Sequence, residues 1–438
     1  MATLSTNYLP SRLAGAFRSL RHRNFQLFFV GQLISLVGTW MQNLGEAWLI
    51  YKLTGSSLLL GAISFSSQIP IFLLSPIGGA VVDRRHRHRV IIITQTLSMV
   101  LAAILAAITL LHVVKVPHVF VLAILLGFVN AFDIPARQAF IVEMVGKEDL
   151  MNAIALNSSM FNGARVVGPA IAGILVASIG EGWCFFANAV SYIAVLAGLL
   201  MMKVPPWTPH PRETSAAQDI KEGFSWVLQT KPVFALLLLV GIVSLVGMPY
   251  AVLMPIFADQ ILHSGARGLG ILMGFAGTGA LIGALTLAAK SSIRGLGTWV
   301  AACSASFGVF LILFSYSRIF WASAALLIPV GLFMMVQMAS TNTLIQSMVP
   351  DRLRGRMMSL YSMMMMGMAP LGALLAGALS EHMGASLTVA AGGVCSILGS
   401  IWFSTELKEF RIEARRLIIA QTYAGGDPAQ EITTVRES

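Results

Sequence analysis

Three charged side chains lie in stretches that are otherwise apolar, and their types suit the binding of protons or anions. Asp133 and Arg137 are four residues apart and so share one helix face, while Arg165 lies in the next apolar stretch. Charged groups in such surroundings are costly and are therefore candidates for function. If both stretches cross a membrane, Asp133 and Arg165 lie about 15 and about 20 Å from its inner face, near the midplane.

The pairing of these charges has two solutions. A motion that separates an Asp133–Arg165 pair would let the aspartate accept a proton, and a motion that restores the pair would expel it. If Arg137 is the partner instead, Arg165 is available to bind an anionic substrate. An ion pair that only joins two helices is the alternative to both. Glu46, in the first apolar stretch, is a further candidate for proton coupling.

Polar side chains with helical spacing lie within the first apolar stretch and share one helix face. We expect this face to line a water-filled cavity. Hydrogen bonding between helices is the alternative role for them, and Glu46 can instead lie at the outer membrane interface. The cavity-lining candidates on this and on three later stretches are Gln32, Ser35, Thr39, Gln42, Asn43, Asn130, Asn162, Gln337, Thr341 and Asn342. The methionine run 363–366 suits either a plastic cavity wall or ordinary packing.

The composition of the chain indicates that these residues lie in a membrane protein. Of 438 residues, 56% are apolar and 11% charged, whereas a soluble domain carries about a quarter charged residues. The mean hydropathy is +0.79. Apolar stretches of about 20 residues or more, long enough to cross a bilayer, follow one another along the chain. The predicted spans are 25–50, 57–82, 90–111, 118–142, 151–178, 183–202, 232–258, 268–289, 297–316, 320–346, 356–381 and 385–404.

The distribution of basic residues predicts the orientation, because short cytoplasmic loops are enriched in Lys and Arg. The chain carries 29 Lys and Arg residues and a formal charge of +10, which in a soluble protein would suggest nucleic-acid binding. Here the loops between spans hold them, so no nucleic-acid partner is expected. With the N-terminus inside, the outer loops hold only Lys52, Lys115, Arg267 and Arg318. Both termini are therefore predicted to lie in the cytoplasm.

The chain is predicted to contain two six-span halves. A long inner loop, 203–231, opens with four prolines and continues as an amphipathic segment, and it separates the first six spans from the last six. Gly127, Ile141, Met144 and Val145 recur with the same spacing as Gly331, Ile345, Met348 and Val349. The predicted organisation is a basic N-terminal segment at 1–24, halves at 25–202 and 232–404 around the 203–231 linker, and a C-terminal tail at 405–438.

Three local motifs resemble those of the major facilitator superfamily. The loop after the second span has Gly79, Asp83, Arg84 and Arg89 on the positions of the superfamily's Gly-x-x-x-Asp-Arg signature, with His86 replacing its second glycine. Gly79 is expected to allow close helix approach. The fifth span has Gly168, Pro169 and Gly173, similar to the packing motif of antiporters. The eleventh span opens with Arg354 and Arg356, the hypothesised partners of Asp83 in gating.

The resemblance is strongest to the subgroup that includes enterobactin and macrolide exporters. It implies an all-α membrane protein with twelve transmembrane helices in two six-helix halves, in a bacterial-type inner membrane. It also implies proton-coupled export of an amphipathic drug or siderophore by alternating access. The partners expected are the lipid bilayer, a small-molecule substrate and protons, and the chain is expected to be a monomer. A lysophospholipid carrier is the alternative substrate class, and an embedded enzyme or receptor is the alternative of another kind.

No cofactor and no metal are expected. The three cysteines are far apart and form no CxxC pair. The sequence also has no Gly-x4-Gly-Lys-Ser/Thr phosphate loop, no His-Glu-x-x-His and no Gly-x-Ser-x-Gly. An ATP-driven pump or a hydrolase would need one of these or machinery of another kind, so the chain is predicted not to be an enzyme.

Overall fold

A computed structural model describes residues 17–146, 148–204, 224–290 and 293–423, and these ranges are helical without a strand. A short 3-10 helix, Arg18–Arg21, precedes the first span. The long helices are α1 (Arg23–Thr54), α2 (Ser57–Asp83), α3 (Arg87–Leu110), α4 (Val116–Val145), α5 (Leu150–Ile179), α6 (Gly182–Leu200), α7 (Lys231–Ile261), α8 (Gly265–Ala288), α9 (Leu296–Tyr316), α10 (Phe320–Met348), α11 (Leu353–Met383), α12 (Ala385–Thr405) and α13 (Leu407–Tyr423).

Among the described residues, helices α1 to α12 are the twelve that are long and apolar enough to cross a membrane. They correspond one to one with the predicted spans, and most extend a few residues beyond them at one or both ends. The predicted all-α fold class and the number of spans are therefore confirmed. Several of these helices exceed the roughly 20 residues that a bilayer needs. We therefore expect them to tilt or to protrude from the membrane.

Helices α7 and α11 are not regular. In α7, two π-helical turns, Val243–Gly247 and Phe257–Ile261, flank a 3-10 stretch at Met248–Leu253. Pro249 and Pro255 cannot donate backbone hydrogen bonds, which accounts for the change in winding. In α11, the methionine run forms the π-helical turn Met363–Gly367. π-helical turns are rare in proteins, and those that do occur are often found at functional sites.

The chain divides into two compact units. One comprises Met1–Glu46 with Leu73–Pro211, and the other comprises Ala47–Phe72 with Arg212–Ser438. Residues 47–72, which are the end of α1 and the first part of α2, thus pack with the later spans although they precede the 203–231 loop. The predicted halves remain a prediction, and the proline-rich start of that loop lies outside the described residues.

Helix α13, which lies in the predicted C-terminal tail, is docked within the second unit. Phe410 is buried, and it packs against Phe403 of α12 with ring centroids 5.3 Å apart. Arg411 donates a hydrogen bond from Nη2 to Thr298 Oγ1 at 2.9 Å. The basic stretch therefore covers the ends of α9 and α12 through its apolar face.

The close approach of α2 to α4 occurs at Gly78, and the expectation for Gly79 is wrong. A Cβ added at Gly78 would overlap the backbone oxygen of Ala131, whereas a Cβ added at Gly79 would have nothing within 4 Å. The two residues differ because neighbouring positions on a helix point about 100° apart, so only one of them faces α4. Gly79 is consequently not the packing residue of the motif.

We expect Gly78→Ala to destabilise the first unit by about 1–3 kcal/mol, because the added methyl meets backbone that cannot rotate away. Gly79→Ala is the matched control and should fold like the parent. Thermal unfolding of the purified variants in one detergent measures both effects. Equal melting temperatures for Gly78→Ala and Gly79→Ala would contradict the packing described for α2 and α4.

Candidate functional site

Asp133 is held by helix α3 and by its own helix. The side chain is 1% exposed. Its Oδ1 accepts hydrogen bonds from Thr94 Oγ1 at 2.7 Å and from Gln95 Nε2 at 2.9 Å. Arg137 Nε lies 2.6 Å from Asp133 Oδ2. Asp133 thus pairs with Arg137, and the hypothesised pair with Arg165 is wrong; the i,i+4 partner on the same helix face is the one that forms.

Helices α1 and α6 are joined by a buried polar contact. Thr39 Oγ1 donates a hydrogen bond to the Ser35 carbonyl of its own helix at 3.0 Å. Asn188 donates a hydrogen bond from Nδ2 to Gln42 Oε1 at 2.7 Å. Buried polar groups that are satisfied in this way fix the helices that carry them. Gln42 therefore links α1 to α6, which is the alternative role considered for the polar stripe.

The remaining residues of the α1 stripe divide into buried and accessible positions. Gln32 and Ser35 are buried, with 3% and 2% of their surface exposed. Asn43 is exposed and Glu46 is half-buried. Within the described part of the chain, the Glu46 carboxylate has no hydrogen-bond or ion-pair partner. Glu46 is thus the acidic member of the stripe, and its carboxylate is unpaired among the described residues.

Arg165 lies against aromatic rings in the middle of α5. Its guanidinium carbon is 5.8 Å from the centroid of the Trp40 ring. The rings of Trp40 and Phe161 pack edge to face, with centroids 5.7 Å apart and an angle of 68° between their planes. A cation over an indole face is favourable, most of all where water is scarce. Among the described residues, no carboxylate lies within 4.0 Å of this guanidinium. The positive charge is therefore oriented by Trp40 without being neutralised.

The motif residues of α5 bring α1 and α5 together next to Arg165. A Cβ added at Gly168 would overlap Trp40 Cβ, so the backbone of α5 lies directly against α1 there. Pro169 and Gly173 are buried, and α5 continues through the proline without interruption. The packing predicted for Gly168 is thus present. It places Trp40 within reach of Arg165, one turn away along α5.

The loop between α2 and α3 makes contacts that the sequence did not predict. Arg87 donates hydrogen bonds from Nη1 to Glu143 Oε1 at 2.7 Å and to the Ala139 carbonyl at 3.3 Å. Arg84 and Arg89 are exposed. Arg87, the first residue of α3 and a position that the motif leaves unspecified, therefore fixes the end of this loop to the end of α4. Glu143 in the last turn of α4 was the available signal.

The predicted gating link cannot be placed, because the Asp83 side chain lies outside the described part of the structure. Arg354 is exposed and Arg356 is half-buried at the start of α11. The contact of Asp83 with either arginine stays a prediction.

The segment before α1 is docked on the loop between α4 and α5. Asp149 accepts a hydrogen bond from Arg18 Nε, and its Oδ2 lies 2.8 Å from His22 Nε2. Ser19 contacts Asn152 through its backbone and its hydroxyl group. Hydrogen bonds from His22 and Arg18 hold the pKa of the Asp149 carboxyl below its usual range. This contact is therefore favoured above the pKa of Asp149 and lost as the pH falls through it.

The candidates in the later spans are mostly buried in helix packing. Gln337 is 1% exposed, and neither atom of its amide has a partner among the described residues. Thr341 Oγ1 donates to the Gln337 carbonyl at 2.8 Å, and Asn342 contacts Gln346. In the first unit, Asn130 is half-buried and Asn162 donates to the Ser158 carbonyl at 2.9 Å. Within the first unit, no described contact joins Asn130 or Asn162 to Arg165.

Comparison with known proteins identifies the family. A family model described as "Transmembrane secretion effector" matches residues 14–427. The chain is 28% identical over 376 residues to a staphyloferrin A transporter of Staphylococcus aureus, covering 84% of this chain and 93% of that protein. It is 27% identical over 399 residues to the enterobactin exporter EntS of Shigella boydii, covering 90% of this chain and 93% of that protein.

Solved structures share the fold. The nucleoside transporter NupG aligns with a TM-score of 0.67 at 16% identity, over 89% of this chain and 99% of that one. A bacterial homologue of the iron transporter ferroportin, in an inward-facing state, aligns with a TM-score of 0.67 at 16% identity, over 87% and 98%. The chain belongs to the transmembrane secretion effector family of the major facilitator superfamily, and it is a small-molecule transport protein rather than an enzyme.

Proposed function

We propose that this chain exports an anionic, siderophore-type small molecule in exchange for protons, by alternating access. The relatives named for staphyloferrin A and enterobactin support the substrate class. The observation that carries the proposal is Arg165, a guanidinium in the middle of α5 that lies over Trp40 and has no described carboxylate partner. The proposal also includes an inner-membrane location, cytoplasmic termini and a monomeric carrier.

The chemistry of Arg165 favours an anionic substrate over a cationic one. Siderophores chelate ferric iron through oxygen donors, so they carry acidic groups. A guanidinium remains charged at all physiological pH values and presents several donors to such oxygens. Trp40 and Phe161 add flat apolar surfaces on which an aromatic or aliphatic part of the substrate can pack. A cationic amphipathic drug would be repelled at this point.

Glu46 is the proposed proton carrier, in place of Asp133. Both oxygens of the Asp133 carboxylate are already engaged, in two hydrogen bonds and an ion pair, and the side chain is buried. Glu46 has no such partners among the described residues and lies on α1 about two turns from Trp40. An ionised carboxylate in the apolar region is costly, so Glu46 is expected to bind a proton whenever it is shielded from water. A change in the side that is open to water would then move the proton.

We expect Glu46→Gln to abolish accumulation driven by a proton gradient while leaving substrate exchange nearly unchanged, because the glutamine is a fixed mimic of the protonated acid. Accumulation should fall to the level of vesicles without a gradient, a loss of about tenfold or more for a coupled carrier. Proteoliposomes loaded with the substrate, with and without a pH gradient, give both rates.

Glu413→Gln, on the exposed face of α13, is the matched control and should retain coupling. If Glu46→Gln still accumulates substrate against its gradient, Glu46 is not the proton carrier and Asp133 returns as the candidate.

A further inference from the structure

The N-terminus of α2 is capped by a side chain from α11. Ser56 Oγ, just before α2, accepts a hydrogen bond from the Leu59 backbone N–H at 3.2 Å and contacts Glu381 Oε1. The same carboxylate oxygen accepts a hydrogen bond from the Leu58 backbone N–H at 3.2 Å. Free N–H groups and a partial positive charge at a helix start favour an anion. Glu381 thus supplies the negative charge that α2 lacks in its own first turn.

The two helices touch through backbone immediately beside this cap. A Cβ added at Gly61 of α2 would overlap the Ala373 carbonyl of α11. Ser57 Oγ donates to the Gly377 carbonyl at 3.1 Å. Such close packing is stable only while the helix ends stay aligned, because a small separation removes many contacts at once. The cap and the glycine contact therefore act on the same pair of helices.

A second polar contact lies at the same end of the second unit. Tyr51, near the end of α1, donates a hydrogen bond from its hydroxyl to Asp259 Oδ2 of α7 at 2.7 Å. The helix ends on both sides of the α1–α2 loop are thus each held to a later span by a carboxylate. Both contacts lie within the second unit.

We propose that Glu381 is a positioning residue for transport: it latches α2 to α11 at the outer face, and the latch must open for the substrate to leave. The inference relies on the proposed topology, in which the α1–α2 loop is extracellular. The described hydrogen bonds to the Glu381 carboxylate come from a backbone N–H and a hydroxyl group at the start of α2, so the latch depends on these donors. An added negative charge on α2 should therefore open it.

The test uses outside labelling of a cysteine placed beneath the latch. Ser64, on the same face of α2 as Gly61 and one turn further in, is half-buried. Ser64→Cys is combined with replacement of the three native cysteines by alanine, and intact cells are treated with a membrane-impermeant maleimide. No substrate is added, so the result does not depend on the proposed substrate or on proton coupling.

Glu381→Ala should increase the labelling rate about tenfold, since a charge-assisted contact of this kind shifts a two-state equilibrium by roughly that factor. Ser56→Asp should do the same, although aspartate is itself a good helix cap. Glu413→Ala should label like the parent. A purely local capping role predicts that Ser56→Asp leaves labelling unchanged. That result, or parental labelling of folded Glu381→Ala, would overturn the latch; if Glu381→Ala does not fold, Ser56→Asp decides.

Discussion

Replacing Arg165 with glutamine is expected to reduce export of an anionic chelator about thirtyfold or more at low substrate concentration. The loss follows from removing the charge in a site of low polarity, where one partner of a charged contact typically contributes about 2–5 kcal/mol. Trp40 and Phe161 would remain in place, so the helix packing around Gly168 should survive. Initial uptake rates in inside-out vesicles, normalised to the amount of folded protein, measure the effect.

The controls for Arg165 separate charge from structure. Arg165→Lys keeps the charge and loses the fork of donors, so it should retain part of the activity. Arg415→Gln removes an arginine from the exposed face of α13 and should transport like the parent. If Arg165→Gln transports an anionic chelator at the parental rate, Arg165 is only a packing partner of Trp40.

The second large effect concerns stability. Asp133→Asn is expected to destabilise the first unit by about 3–5 kcal/mol, because it leaves the Arg137 charge without its partner in a largely buried place. The yield of folded protein should fall more than the transport rate per folded molecule. Thermal unfolding in detergent and size-exclusion profiles provide the measurement.

A double variant tests the pairing directly. Asp133→Asn with Arg137→Gln removes both charges, and it should recover much of the stability lost in the single variant. A single Asp133→Asn variant that is as stable as the parent, yet fails only in gradient-driven accumulation, would contradict this structural role and would support coupling at Asp133.

The spans could be predicted because the bilayer imposes one length and one composition on every crossing helix. The rotation of each helix about its axis could not, because it depends on which neighbour packs against it. The depth of each residue in the membrane did not distinguish Arg137 from Arg165 as the partner of Asp133. In the structure, Asp133 pairs with Arg137, four residues further along the same helix. The same limit explains why Gly79 was chosen over Gly78, since neighbouring glycines are equivalent until α4 is in place.

Contacts between helix ends could also not be predicted from the sequence. Arg87 with Glu143 and Glu381 with the start of α2 each join segments that are far apart along the chain. A charge at a helix end is ordinary in a membrane protein, so neither acid was distinguished from a topological charge. By contrast, Arg165 was predictable as a functional candidate because a cation within an apolar span is rare.

The most direct test of the proposed function is transport by the purified chain in proteoliposomes under an imposed pH gradient. The probes are a tri-catecholate chelator, a polycarboxylate chelator and the lipophilic cation tetraphenylphosphonium. We predict gradient-dependent accumulation of at least one iron-free chelator, abolished by Arg165→Gln and by collapse of the gradient, and no accumulation of the cation. Accumulation of the cation alone, or chelator transport that is insensitive to both Arg165→Gln and the gradient, would contradict the proposal.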